Sequence, residues 1–255
     1  MSTGGPVIGD AVVGERVFVD RDDAGRVLAA RVARYLGGVA LPCRPLVVAL
    51  PRGGVPVAVK VAATIGADVE VVVVAKIGAP GRPEVGVGAL AEDAPPIFDR
   101  ASLAGLGIVE SDLVETVAAE RSEVRRRIAR YRGDRPVRDV SGRVVIVVDD
   151  GLATGITACA SLRWLKARMP ARLVMASPVC SRQARTLLAD QADAVVCLHS
   201  PESFTAVSCW YTDFRQLGDG DIDRCLAVTP SATWTSTTTP RTLPPWSRRP
   251  GGRPC

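Results

Sequence analysis

The chain has 255 residues, of which 47% are hydrophobic and 23% are charged, and its formal net charge is +5. These values are typical of a globular protein with one good core. They argue against a membrane protein, because no apolar run approaches the ~20 residues that cross a bilayer. The beginning, MSTGGPVIGD, lacks the charged start and apolar centre of a signal peptide, so we expect a cytoplasmic protein with no membrane partner.

The pattern of apolar residues predicts strands that alternate with helices along most of the chain. In chain order we predict a helix at 22–38, a strand at 45–50, a helix at 55–66, a strand at 69–76, a helix at 111–133, a strand at 143–148, a helix at 155–168, a strand at 172–179, a helix at 181–190 and a strand at 194–200. Residues 77–96 hold so many glycines and prolines that we expect mostly loop or a loose hairpin. The alternation predicts an α/β fold with an open, mostly parallel sheet and helices on both faces.

The last segment, residues 229–255, is rich in Pro, Thr, Ser and Gly, and we expect it not to fold by itself. It contains four arginines and no acid, so it holds four of the five net positive charges and leaves +1 for residues 1–228. Such a nearly neutral body gives no reason to expect a nucleic-acid partner. The basic tail is either a solvated end or a disordered segment that binds an anionic partner. We therefore predict one domain over 1–228 and a disordered Pro/Thr/Arg-rich tail.

The seven cysteines and the single histidine, His199, argue against two kinds of site. The number of cysteines is odd and no CxxC pair occurs, so we expect no disulfide framework. A zinc site is equally unexpected, because no histidine-containing cluster is present. Cys159, Cys180 and Cys197 lie in or beside apolar runs, which is typical of small core residues.

The stretch RVVIVVDDGLATGITA, residues 143–158, contains the most informative turn in the chain. Gly151 and Gly155 let a ligand approach the main chain. The amides of residues 153–157 can then point into one concavity at the start of a helix, which suits a phosphate monoester. This is not the phosphate loop of nucleotide triphosphatases, which needs a lysine where Ile156 stands.

Two adjacent acids, Asp149 and Asp150, come directly before this turn. They would repel a phosphate that they touched, so we expect them to face something else. Vicinal sugar hydroxyls fit, because a carboxylate accepts two hydrogen bonds from a diol, and a Mg²⁺ ion would relieve the paired charge. The pattern therefore indicates a ribose 5-phosphate site. The simpler interpretation is a helix-capping or solvated pair.

The residues of this turn resemble a known family motif. VVIVVDDGLATGITA is similar to the binding motif for 5-phosphoribosyl 1-pyrophosphate (PRPP) in the type I phosphoribosyltransferases, and ALPRGGVPVA resembles their pyrophosphate loop. AKIGAPGRPEVGVGALAED and WYTDF further resemble a group of predicted phosphoribosyltransferases whose acceptor is unassigned. The resemblance covers residues 15 to about 226. It implies a flexible flap at about 77–96 and a small hood over the acceptor at about 200–228.

The resemblance implies Mg²⁺-dependent transfer of the phosphoribosyl group from PRPP to a nitrogen acceptor, such as a small base, with release of pyrophosphate. Asp149 and Asp150 would hold the ribose hydroxyls and the metal. The binding turns that it implies comprise Gly151, Leu152, Ala153, Thr154, Gly155, Ile156 and Thr157 for the 5′-phosphate, and Pro51, Arg52, Gly53 and Gly54 for the pyrophosphate, with Lys76 as a further contact. It also implies a homodimer and, as often in this family, a cis peptide bond between Pro51 and Arg52.

Several of these residues have simpler interpretations. Arg52 could be an exposed turn residue, and Lys76 could be solvated at the end of its strand. Thr154 and Thr157 could serve only as turn and cap residues. Four aromatic residues of the hood lie at roughly helical spacing, and we interpret them as a packed lid rather than a base-stacking surface: Phe204, Trp210, Tyr211 and Phe214.

A second class of function uses the same turn. A regulatory protein could bind PRPP or a nucleotide without turnover, since sensing needs the same phosphate cradle. A receiver-type or phosphatase aspartate site is a weaker third class, because a glycine and a Thr-Gly turn follow the acids directly. The hood matches no purine, orotate or uracil signature, so the acceptor base is not identified.

Overall fold

The computed structural model of the chain describes residues 7–8 and 17–227. Its strands are Val7–Ile8 (β1), Leu46–Ala49 (β2), Asp68–Val71 (β3), Val74–Ala79 (β4), Arg82–Ala91 (β5), Ile97–Phe98 (β6), Val144–Val148 (β7), Arg172–Val179 (β8) and Ala194–His199 (β9). Its α-helices are Arg21–Leu36 (α1), Gly54–Ile65 (α2), Arg100–Leu106 (α3), Val114–Arg132 (α4), Ile156–Lys166 (α5), Arg182–Ala189 (α6) and Asp219–Ala227 (α7). Short 3₁₀ helices occur at Glu110–Leu113 and Val207–Trp210.

Six strands form one sheet in the order β1-β9-β8-β7-β2-β3, and every neighbouring pair is parallel. Because side chains alternate between the faces of a strand, Ile146 of β7 packs in the core under α1 and α2. Its neighbour Val147 packs on the opposite face, in the core under α5 and α6. The predicted open parallel sheet with helices on both faces is therefore confirmed.

The sheet brings the two predicted binding turns to one edge. The turn that begins at Pro51 follows β2, and the turn that begins at Asp149 follows β7. The two strands are adjacent and parallel, with Ala49 opposite Val148. The carboxyl ends of parallel strands meet at the same edge, where ligands of open α/β sheets bind.

The predictions for residues 69–96 are partly wrong and partly confirmed. The predicted strand 69–76 is divided, because Val73 leaves the main sheet and donates its amide to Glu92 Oε1 at 2.8 Å. Of the loop or loose hairpin expected at 77–96, the hairpin is confirmed: β4 and β5 pair antiparallel, and β6 completes a three-stranded sheet. The glycines that suggested a loop make room for close contacts instead. A Cβ on Gly86, for example, would lie 2.4 Å from Cε of Lys76 on the paired strand.

The hood is only partly helical. The spacing of its aromatic residues suggested a helix, but only a single 3₁₀ turn lies there, and the helix α7 comes later in the chain. The interpretation of the aromatics as packing residues is confirmed for three of them. Tyr211 contacts Phe214 with ring centroids 5.0 Å apart, and Trp210 stacks on His199 at 5.6 Å. The helix α3, which begins after the N-cap Asp99, was not predicted from the sequence.

Three further observations bear on the sequence predictions. Within residues 7–8 and 17–227 no helix is long and apolar enough to cross a membrane. The six cysteines in this part of the chain are free thiols. The tail predicted at 229–255 lies outside the described residues.

Candidate active site

The turn after β7 is fixed by the start of α6. Leu152 is buried and donates its amide to Val179 O at 2.9 Å, while its carbonyl accepts from the amide of Ser181 at 2.8 Å. The Ser181 hydroxyl donates to the carbonyl oxygen of Ala153. The same hydroxyl accepts from the amide of Ala184 and so caps α6. One serine thus connects this turn to a helix end.

These contacts determine where the amides of the turn point. In a trans peptide the N–H is directed opposite to the C=O. Because the carbonyls of Leu152 and Ala153 are bound by Ser181, the amides of Ala153 and Thr154 point away from it. Among the residues that the structure describes, neither amide has a hydrogen-bond acceptor. Two unpaired donors on one side of an exposed turn favour an anion.

The helix α5 begins directly after this turn, as predicted. Gly155 is its N-cap and has a φ of 78°, a conformation that glycine adopts at little cost. Thr154 Oγ1 lies 3.5 Å from the amide of Ile156, at the limit of a hydrogen bond. Thr157 lies in the first turn of α5 and is partly exposed. The positive end of the helix dipole therefore faces the same side as the predicted cradle.

The two acids differ in their surroundings. Asp150 is buried, and its Oδ2 accepts from Nε of Arg21 at 2.7 Å. Its main-chain oxygen accepts from the hydroxyl of Tyr211 at 2.6 Å. Asp149 is partly exposed, its Oδ1 accepts from the amide of Asp150 at 2.9 Å, and it forms no ion pair with any described residue. Asp149 is therefore the acid of the pair that no described cation neutralises.

The electrostatics of the pair follow from this arrangement. Burial, and then the adjacent negative charge of Asp150, raise the pKa of Asp149 well above its ordinary value. Burial also raises the pKa of Asp150, and the Arg21 guanidinium opposes that rise. A half-buried carboxylate beside a like charge is stabilised by a cation or by hydroxyl donors, so the site favours a ligand that supplies one of them.

The loop after β2 packs directly against these acids. A Cβ on Gly53 would lie 1.9 Å from Asp150 Oδ2, and one on Gly54 would lie 2.5 Å from Val148 O. Only glycine therefore fits at either position without moving the neighbouring turn. The peptide bond between Pro51 and Arg52 is cis, as the resemblance implied. The structure thus brings the two predicted turns into contact.

The predicted basic residues lie further from the acids. Nη1 of Arg52 is 3.9 Å from Oδ1 of Asp219 on α7, and its side chain is partly exposed. Lys76 is exposed and donates from Nζ to the carbonyl oxygen of Glu84, 2.5 Å away on β5. Among the described residues, neither side chain forms a hydrogen bond or an ion pair with Asp149 or Asp150. Both cations are bound to their own chain.

Three residues at this site were missed by the sequence analysis. Arg21 and Tyr211 bind Asp150, and Ser181 holds the phosphate turn. Ser181 had a readable signal, since a serine directly before a predicted helix is a typical N-cap. Arg21 had none, because an arginine at the start of a helix is most often solvated.

A cavity of about 560 Å³ opens between the small sheet, α5 and α6. Thr154 and Ile156 line it, but Asp149, Asp150 and Arg52 do not. The hydrogen bonds and close contacts of the two turns, rather than this cavity, therefore locate the candidate site.

Together the fold and the turns define an α/β protein with a turn of unpaired amides and two adjacent acids at the carboxyl edge of a parallel sheet. A family model of the phosphoribosyl transferase domain matches residues 43–212. A crystal structure of TT1426 from Thermus thermophilus is similar, with 38% identity, a TM-score of 0.67, and coverage of 84% of this chain and 99% of that one. The chain belongs to the phosphoribosyl transferase family, as its motifs predicted.

Relatives in Mycobacterium tuberculosis agree with this assignment. Proteins of two strains, provisionally named phosphoribosyl transferases, are 37% identical over 207 residues, which are 81% of this chain. The matched part is 46% of each relative, so the chain spans about half the length of the curated relatives that it matches.

Proposed function

We propose that the protein transfers the 5-phosphoribosyl group of PRPP to a nitrogen acceptor and releases pyrophosphate. The observation that carries this proposal is the contact between the two turns, in which Gly53 lies against the carboxylate of Asp150. One turn has free amides for a 5′-phosphate, the other is the predicted pyrophosphate loop, and the acids lie where they meet. PRPP carries a phosphate, a diol and a pyrophosphate in the same order.

The chemistry assigned to these groups is a displacement at C1 of the ribose. The lone pair of the acceptor nitrogen forms the new bond to C1, and the bond from C1 to the pyrophosphate oxygen breaks with its electron pair on that oxygen. The proton that the acceptor nitrogen carried then passes to solvent water. Positive charge develops on the ring, where the negative charge of Asp149 stabilises it. The amides of Ala153 and Thr154 hold the 5′-phosphate, and Arg52 and Lys76 face the departing pyrophosphate after they leave their present partners.

The residues present fit a magnesium ion that the substrate brings. Mg²⁺ is usually held by one or two carboxylates together with substrate phosphates and water. Asp149 is free for this role, whereas Oδ2 of Asp150 is bound by Arg21. In the described part of the chain no group of three or more side chains forms a metal cage, which agrees with a substrate-held ion. When bound, the ion would neutralise charge on the leaving pyrophosphate.

The positions of Arg52 and Lys76 favour a second candidate function. Arg52 faces Asp219 and Lys76 binds Glu84 O, so the pyrophosphate side of the site is not assembled. A protein that senses PRPP or a nucleotide without turnover would need the phosphate turn but not these cations.

A pyrophosphate-release assay separates the two candidates. The protein is incubated with PRPP, Mg²⁺ and a panel of nitrogenous bases, beside Asp149→Asn and, as a control for charge, the exposed Asp134→Asn. The transferase proposal predicts release with at least one base, a loss of about 100-fold or more in Asp149→Asn, and no change in the control. PRPP binding without release for any base would support the sensor. Unchanged release in Asp149→Asn would contradict the role of that acid.

A further inference from the structure

Arg21, the first residue of α1, has a side chain that is unusual for the end of a helix. It is 9% exposed, although an arginine is rarely buried without a partner. Its Nε binds Oδ2 of Asp150, and its Nη1 donates to the main-chain oxygen of Arg215 at 3.0 Å. The guanidinium also lies over the ring of Phe214, 3.9 Å from its centroid. One side chain thus joins α1, the acidic turn and the hood.

This arrangement fixes the carboxylate of Asp150 on several sides. Arg21 binds one oxygen, the backbone of Gly53 lies against the carboxylate, and Tyr211 binds the main-chain oxygen of the same residue. Asp149 is held less closely, because its Oδ1 accepts from the amide of Asp150 but it forms no ion pair with a described residue. The two acids of the motif are therefore not equivalent in this chain: one is bound by a buried arginine, and the other forms no ion pair with a described residue.

We propose that Arg21 is a positioning residue of the active site. It holds Asp150 in place against the pyrophosphate loop, and it leaves Asp149 as the acid that meets the ribose hydroxyls. This inference rests on the proposed function for the role of Asp149, but the placement of Asp150 is independent of it. Arg21 lies outside residues 43–212, the stretch that the family model matches.

The same side chain couples the hood to the acids. The hood segment 211–215 is bound to Arg21 through a main-chain oxygen and a ring, and to Asp150 through Tyr211. Lysine carries the same charge but lacks the planar fork of donors that can bind Asp150 and Arg215 together. Charge alone would therefore not replace Arg21.

The test compares Arg21→Ala and Arg21→Lys with Arg26→Ala. Arg26 lies on the same helix, its side chain is 62% exposed, and it pairs only loosely with Asp23 at 3.6 Å, so it is a matched control. Crystal structures report the orientation of Asp150, and steady-state kinetics report kcat and the KM for PRPP. PRPP titration by calorimetry gives the fraction of competent sites. Methylguanidine is added to Arg21→Ala as a chemical rescue.

We expect the Asp150 carboxylate to rotate away from Gly53 in Arg21→Ala, and kcat per competent site to fall about 10- to 100-fold, as for other residues that orient ligand-binding groups. Methylguanidine should restore part of kcat, Arg21→Lys should restore little, and Arg26→Ala should behave as wild type. A purely structural role would lower the fraction of competent sites and leave kcat per site unchanged, with no rescue.

The two proposals can fail separately. If wild-type protein releases no pyrophosphate with any base, the proposed transferase function is contradicted. The orientation of Asp150 in the variant crystals then still tests whether Arg21 positions Asp150. An unmoved carboxylate in Arg21→Ala overturns the inference whatever the activity. If Arg21→Ala does not fold, Arg21→Lys tests the positioning role instead. A wild-type orientation of Asp150 together with a wild-type kcat in Arg21→Lys would overturn that role as well.

Discussion

The acidic turn and the basic residues opposite it show two ways of placing a functional group. The turn at 149–157 is held from behind by Ser181 and from the side by Gly53, so its amides and the carboxylate of Asp150 have one arrangement. The basic groups of Arg52 and Lys76 are partly or fully exposed and are bound to partners of their own. The half of the site proposed for phosphate and diol is therefore preorganised, whereas the half proposed for pyrophosphate would have to rearrange.

This difference has an energetic reason. Backbone amides and buried acids cost little to order when a ligand binds, because the fold has already fixed them. A long basic side chain on the surface loses rotamer freedom when it is fixed. Arg52 and Lys76 must also give up the partners that hold them now. The comparison predicts that changes in the turn alter the site more than changes in the basic residues do.

The largest expected effect is on stability and distinguishes the two acids. Asp150→Asn leaves the buried Arg21 without a counter-charge, which costs about 3–5 kcal/mol when one partner of a buried ion pair is removed. Asp149→Asn removes an acid without an ion pair and should cost nothing. Urea unfolding of both variants measures the difference. Equal stabilities would show that the acids are equivalent after all.

Gly53→Ala tests the contact between the two turns. The added Cβ would lie 1.9 Å from Asp150 Oδ2, so the loop or the carboxylate must move. Overpacking of this kind costs about 1–3 kcal/mol. If that cost appears in PRPP binding, the affinity should fall about 5- to 150-fold. Calorimetric titration with PRPP measures it. Gly105→Ala is the control, since a Cβ there meets no atom within 4 Å; wild-type affinity in Gly53→Ala would mean that the turns move freely.

Ser181→Ala tests how the phosphate turn is held. It removes the hydrogen bond to Ala153 O and the cap of α6, and one such bond is worth about 1 kcal/mol. We expect PRPP affinity to fall about 5- to 10-fold, because the amides of the turn lose their orientation. Asp99→Ala removes a cap from α3 and serves as the control for stability. An equal loss of affinity in both variants would remove the special role of Ser181.

The smallest expected effect is a change of stability with pH. The pKa of Asp149 is raised in the folded state, so its protonated form favours folding, and that contribution is lost as the pH rises through the folded-state pKa. Asp149→Asn should therefore be more stable than wild type at pH 7 and have a higher Tm. The difference should shrink as the pH falls toward 4. A variant less stable than wild type at pH 7 would contradict the cause given for the shift.

Much of the fold and of the site could be predicted because the responsible signals are local. The alternation of apolar strands and helices gives the parallel sheet, and a run such as VVIVV can only be a buried strand beside others of its kind. The acids and glycines of 149–155 lie together in the sequence, so the turn could be read directly. Two turns after neighbouring parallel strands must then lie at one edge.

The rest depends on contacts between distant residues. The pairing of Arg21 with Asp150 spans 129 positions, and neither residue type indicates the other. The small antiparallel sheet was expected only as a loop or a loose hairpin, because glycine occurs both in loops and in closely packed strands. At Gly86 it makes room for the side chain of Lys76, which only the paired strand reveals. Glycine is used both in the tight turns of loops and in the close packing of sheets, so its presence alone does not distinguish the two.

The most direct measurement is a crystal structure of the protein with PRPP and Mg²⁺. The account predicts that the 5′-phosphate accepts hydrogen bonds from the amides of Ala153 and Thr154, that Asp149 meets the ribose hydroxyls, and that Asp150 stays bound to Arg21. PRPP bound away from the 149–157 turn, or with its pyrophosphate in place of its 5′-phosphate on these amides, would contradict it.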